Sequence, residues 1–118
     1  MTSGPEDLRD RTKRFALRIY KLFRSLPKSD DGRILGRQLL RSGTSVAANY
    51  RAVCRARSRD EFVSKMGIVI EEADETVFWL EFLADTGLVP RPRLEPLLVE
   101  ANELVAIFVA SRKTAKAA

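Results

Sequence analysis

Six arginines in the first half of the chain, Arg33, Arg37, Arg41, Arg51, Arg55 and Arg59, are spaced so that one helix face could carry them all. At 100° per residue they fall within a sector of about 80°. They would run over about 39 Å at 1.5 Å per residue. A row of guanidinium groups is chemistry for phosphates, because each fork can clamp two oxygens and each neutralised phosphate releases condensed counterions. Lys21 and Arg24 are placed to help. No aromatic side chain is interleaved with the arginines on that face, so stacking on bases is not expected there. The competing reading pairs the arginines with Glu71, Glu72, Asp74, Glu75 and Glu81, in the same chain or a neighbouring copy, as charge runs commonly do.

Other reactive groups are sparse. Glu71, Glu72, Asp74 and Glu75 are dense enough to suggest a metal site or an acid–base pair. Helical carboxylate sites for iron add histidines on facing helices, however, and this sequence has none. The lack of histidine also removes the usual general base. The single cysteine, Cys54, has no disulfide partner and reads as a small core residue without a base to activate it. Asn49, near the apolar side of its helix, reads as a register-fixing polar group that needs partners. The expectation is a protein without catalytic residues, metal or cofactor, and therefore not an enzyme.

The elements that must position the arginines are all helical. At 118 residues and 45% apolar content the chain is expected to be one domain with a real core. No stretch approaches a membrane span and residues 1–10 lack the apolar core of a signal peptide, which implies a cytoplasmic protein without membrane contact. Charge is divided: residues 1–59 hold 15 Lys and Arg against 5 Asp and Glu, and residues 60–118 hold 6 against 11. The basic half fits a phosphate-bearing ligand or an acidic protein; the acidic half of a second copy is one such partner.

Periodicity predicts four helices over about 6–26, 31–57, 59–86 and 92–113. Pro5, Glu6 and Asp7 suit the start of the first, and Leu8, Phe15, Ile19, Leu22, Phe23 and Leu26 form its stripe. Pro27 ends it. The second is read as continuous through Gly43, with Ser42, Gly43, Ser45, Ala47 and Ala48 a small-residue surface for close helix approach; the alternative is a tolerated local weakness. Ser58 with Glu61 predicts a capping box opening the third helix. There Phe62, Met66, Val69, Ala73, Thr76, Leu80 and Leu83 keep a 4-3 spacing suited to a bundle seam. Ile68, Phe78, Trp79 and Phe82 lie away from that seam. They are read as an oligomer interface, since a helix apolar on two faces is buried on two faces; the alternative is cover by the first or second helix. Gly87 should end the third helix in the left-handed conformation. Pro96 is expected in the first turn of the fourth, and residues 111–118 are expected to fray.

Taken together, Leu26-Pro27-Lys28, the run from Gln38 to Tyr50 (QLLRSGTSVAANY), the run from Ala56 to Phe62 (ARSRDEF), Glu71–Thr76 (EEADET) and Trp79-Leu80-Glu81 resemble the bacterial four helix bundle protein family, which includes proteins encoded in intervening sequences of 23S ribosomal RNA genes. The resemblance covers roughly Asp7 to Ser111. It implies an all-α, antiparallel up-down-up-down bundle that assembles into a ring-like homopentamer. The accessory variability determinant of diversity-generating retroelements looks related, which implies a basic pentamer contacting nucleic acid and a reverse transcriptase. The sequence departs from the pattern at Tyr50–Cys54, where many relatives carry an acidic residue and a glycine. Two functions are carried forward: a non-enzymatic scaffold binding DNA or RNA non-specifically through the six arginines, or an adaptor for a nucleic-acid-processing protein.

Overall fold

The computed structural model describes residues 5–118, and the side chains from Asp7 onward. The expected contribution of Glu6 to the first helix dipole, and everything read from residues 1–4, lies outside the described residues. Four helices account for nearly all of the rest: α1 Pro5–Ser25, α2 Asp30–Cys54, α3 Arg59–Thr86 and α4 Arg91–Ala117. They run up, down, up, down in a rod with principal extents of 47 × 24 × 20 Å. Among the described residues there is no strand. The extensive interfaces join consecutive helices, α1 to α2, α2 to α3 and α3 to α4; α1 and α4 touch only lightly.

The stripes read from periodicity meet in one core. Phe15, Ile19, Leu39, Val46, Met66, Val69, Leu80, Leu83, Leu94, Leu104 and Phe108 are all essentially inaccessible to solvent. Burying one such side chain stabilises the fold by about 1.5–3 kcal/mol. The 4-3 seam of α3 is buried from Met66 to Leu83, with Phe62 half-buried at its start. Tyr50, which the sequence does not mark as core, is buried and stacks on Phe108 with ring centroids 5.7 Å apart. Burial and the neighbouring Cys54 push its phenol pKa upward.

The small residues of α2 are the reason α1 can lie so close. A Cβ at Gly43 would sit 2.9 Å from Cγ2 of Ile19, and one at Gly36 would sit 2.9 Å from Cδ1 of Leu26. Gly43 is thus a packing requirement inside a continuous helix, and of the two readings of that residue the close-approach one holds. Ala48, by contrast, is exposed and takes no part in the contact.

Caps set the helix ends. Ser29 Oγ accepts from Gly32 N–H and opens α2; Ser58 Oγ accepts from Glu61 N–H at 3.1 Å and opens α3. Glu61 reaches back as a capping box requires, but its carboxylate accepts from Arg57 N–H at 2.6 Å rather than from Ser58. Gly87 closes α3 at φ 77° with its N–H on the Ala84 carbonyl.

Three boundaries differ from expectation. First, α2 ends at Cys54 rather than at residue 57, because Arg55 and Ala56 donate back to Ala52 and Val53 in a tightened last turn. The extended backbone of the Ser58 cap leaves no room for a longer helix before the chain reverses. Second, α4 continues to Ala117 instead of fraying from Ser111. Arg112 Nε donates to the Val63 carbonyl at 3.0 Å, and Ala115 packs into a recess with Phe62, so the start of α3 holds the last turns in place. Third, Pro96 is the sixth residue of α4 and lies in its second turn rather than its first, where it removes one backbone bond on an exposed side.

Candidate nucleic-acid interface

The core of α2 is built from Leu39, Val46, Tyr50 and Val53, and the arginines occupy the opposite side of the same helix. Arg33, Arg37, Arg41 and Arg51 lie on α2 itself, and all four are exposed. Arg55 is the C-cap residue and prolongs the row by one position. Arg59 does not belong to it: it is the first residue of α3, beyond the turn. The helical part of the row, Arg33 to Arg51, therefore spans about 27 Å rather than about 39 Å.

The electrostatics of the row are uneven. Arg41 is held by α3: its guanidinium donates to Glu72 at 3.2 Å and to Glu75. Trp79 Nε1 donates to the same Glu75 carboxylate at 3.1 Å. That indole bond, and then the Arg41 bond, hold the Glu75 pKa below the ordinary carboxylate value. Arg33 makes a single loose pair with Asp30 at 3.4 Å. Arg37, Arg51 and Arg55 have no ion-pair partner among the described residues. The reading in which α3 carboxylates neutralise the whole row thus holds within one chain for Arg41 alone. Glu71, Asp74 and Glu81 leave the arginines untouched.

The helix α1 adds further cations, among them the Lys21 and Arg24 expected to help. Lys13, Arg14, Arg18 and Lys21 are exposed on its outward side and unpaired among the described residues, while Arg11 is tied across to Glu100 at 2.7 Å and Glu103 at 2.6 Å on α4. Arg24 lies over the ring of Tyr20, 5.9 Å from its centroid. Their proximity to the α2 row depends on how α1 packs on α2, which no single-helix periodicity reveals.

The outward side of α3 has a different character. Ile68, Phe78 and Phe82 are exposed, and Trp79 is half-buried. Phe78 packs edge-on against Trp79 at 4.9 Å and stacks on Phe82 at 5.7 Å. Neither α1 nor α2 covers these rings, so the alternative in which the bundle itself hides them fails for Phe78 and Phe82.

The remaining candidates stay with their own helices. Asn49 is half-buried and donates to the Ser45 carbonyl at 2.8 Å, with no partner on α3. Cys54 is half-buried beside Tyr50 in an open recess of about 460 Å³ lined also by Val53, Phe62 and Ala115. No group of three or more Cys, Asp or Glu side chains converges as metal ligands would, among the described residues. None of the described helices is long and apolar enough to cross a membrane.

Residues 7–110 match the sequence model of the 23S rRNA-intervening sequence protein family. Among solved structures, a protein of unknown function from the S23 ribosomal protein family of Bacteroides thetaiotaomicron superposes with a TM-score of 0.86. The two are 33% identical over 92% of this chain and 97% of that one. Among curated proteins none matches.

Proposed function

The chain belongs to the 23S rRNA-intervening sequence protein family, and from that premise we propose that it is a non-enzymatic, basic scaffold that binds nucleic acid without sequence preference through the outward side of α2. The observation that carries this reading is the set of exposed guanidinium groups at Arg37, Arg51 and Arg55, free of any carboxylate partner among the described residues, with Arg33 only loosely paired. Free cations in a row offer phosphates an exchange of bound counterions for fixed charges, which is favourable at low salt and independent of base identity. Arg41 is spent on Glu72 and Glu75 and serves to lock α2 to α3.

The scaffold is a homo-oligomer, with a five-membered ring the form that the family resemblance implies. The exposed Phe78 and Phe82, in contact with each other, and the exposed Ile68 farther along α3 support assembly, because apolar surface of this kind is stabilised by burial against a partner. A ring would repeat the α2 row around its circumference and multiply its charge.

Fluorescence anisotropy with labelled DNA and RNA across a salt series tests the binding. Affinity should fall linearly in log salt with a slope of about 0.9 for each duplex phosphate neutralised. Absence of binding at low salt would reverse the reading in favour of an acidic protein partner for the same arginines. The Arg41 contacts with Glu72 and Glu75 already exemplify that kind of pairing.

A further inference from the structure

Resting on the nucleic-acid reading above, we propose that Tyr20 is a base-stacking platform on this surface and that the preferred ligand is a single strand rather than a duplex. The register of α1 against α2 carries the argument. Ile19 lies against Gly43, Phe23 and Leu26 lie against Gly36, and Pro27 lies against Gly32, so α1 and α2 are locked side by side in antiparallel alignment. Tyr20 follows Ile19 and precedes Phe23 by three residues. It therefore stands just outside the α1–α2 contact, on the flank of α1 next to α2. In this register it is level with residues 40–41 of α2. Arg37 lies on one side of that level and Arg51 on the other.

The surroundings of Tyr20 fit a strand with its bases turned inward. Tyr20 is 43% exposed, and Leu17 beside it is 52% exposed. Lys13, Tyr20 and Arg24 follow at intervals of seven and four residues, which places them along one line of α1. Lys13 is unpaired among the described residues, and Arg24 donates to the Tyr20 hydroxyl at 3.2 Å while lying over the ring. The middle of the facing α2 surface is uncharged there, with Leu40, Thr44 and Ala47. The result is an aromatic and aliphatic strip bordered by cations at both ends. A π-face among cations accepts any unstacked base, whereas a duplex keeps its bases stacked inside and can offer only phosphates. The sequence alone does not disclose this strip, since Tyr20 and the arginines lie on different helices.

The test uses the full chain with oligo-dT and oligo-U strands carrying one 2-aminopurine, alongside the same sequences in duplex form. The expected result is quenching of 2-aminopurine on the single strands, and single-strand affinity several-fold above duplex affinity. Tyr20→Ala should weaken single-strand binding about tenfold, with the salt slope and duplex affinity unchanged. Tyr20→Phe should restore both affinity and quenching. Equal single-strand binding by wild type and Tyr20→Ala overturns the stacking role while leaving the phosphate reading intact, as does a Tyr20→Ala loss equal for duplex and single strand. Failure of the wild type to bind any of the strands defeats the nucleic-acid reading itself, and the stacking role with it.

Discussion

The outward sides of α2 and α3 are both more than a solitary bundle requires, and they are surplus in opposite ways. On α2 the surplus is charge: exposed arginines opposite a row of glycines and aliphatic residues that α1 and α3 bury. On α3 it is apolar: Ile68, Phe78 and Phe82 opposite the Met66–Leu83 seam. Water solvates the first well and the second badly. The two surfaces are therefore suited to different partners, a polyanion for α2 and apolar protein surface for α3. Arg41 is the point where they meet, since Glu75 holds both Arg41 and the Trp79 indole.

The contrast can be broken from either side. The largest expected effect is on assembly. Phe78→Ser with Phe82→Ser should reduce the mass seen by light scattering to that of the 13.3 kDa chain, with helicity by circular dichroism unchanged because both rings are exposed. A wild-type chain that is already monomeric at micromolar concentration would remove the α3 half of the comparison. Next is charge reversal on α2. Arg37→Glu, Arg51→Glu and Arg55→Glu together should lower nucleic-acid affinity by about a hundredfold or more near physiological salt, with little change in Tm because none of the three has a partner to lose. Weaker assembly in that variant would mean that the α2 arginines also meet a neighbouring copy.

Within α2 the inner side should respond in the reverse sense. Gly43→Val forces a branched side chain against Ile19 and should cost about 1–3 kcal/mol of stability by overpacking, read as a lower midpoint in urea, with the surviving folded fraction binding as wild type. The smallest effect is at the junction. Glu75→Gln leaves Arg41 with Glu72 as its one charged partner among the described residues, and its cost should stay below about 1 kcal/mol because the pair is partly solvated. Its signature is in acid. The folded-state pKa of Glu75 is depressed, so its contribution is present above the ordinary value of 4.5 and is lost as pH falls through the lower folded value. Asp31 and Glu61 are depressed as well, by Ser29 and Gly32 in one case and by the Arg57 N–H in the other, and titrate in the same sense. The single tryptophan reports the event directly: Trp79 emission should shift as wild type is acidified below pH 4.5, and Glu75→Gln should show no such step.

What could be read from the chain follows from how local each cause is. The α3 seam, the Ser58 cap and the left-handed Gly87 each depend on residues within a turn or two, and each stands where periodicity and capping rules put it. The end of α2 has no local mark, because Arg55, Ala56 and Arg57 are all compatible with helix and only the need to reverse before Ser58 stops it. Helical periodicity continued past Cys54 therefore brings Arg59 into the row, although it belongs to α3. The last turns of α4 look like a frayed Ala/Lys tail in sequence and are fixed by a bond from Arg112 to a carbonyl on α3. Tyr50 against Phe108, and Tyr20 beside the α2 arginines, are relations between helices, set by side-chain packing that no window of one helix contains.

The order of the interfaces bears on how the chain reaches this structure. Each extensive contact joins a helix to the next one in sequence, and α1 meets α4 chiefly through Arg11 with Glu100 and Glu103 and through Arg93 with Ser25. Each pairing therefore closes a short loop, so little chain entropy is lost before native contacts form, and topologies of this kind fold in microseconds to milliseconds. The α1–α2 hairpin, locked by Gly36 and Gly43, can form while α3 is still being synthesised, and every later helix docks on one already in place. What has to wait for α4 is its own packing: Phe108 on Tyr50, Arg112 on the Val63 carbonyl and the seam that Arg11 closes with Glu100 and Glu103.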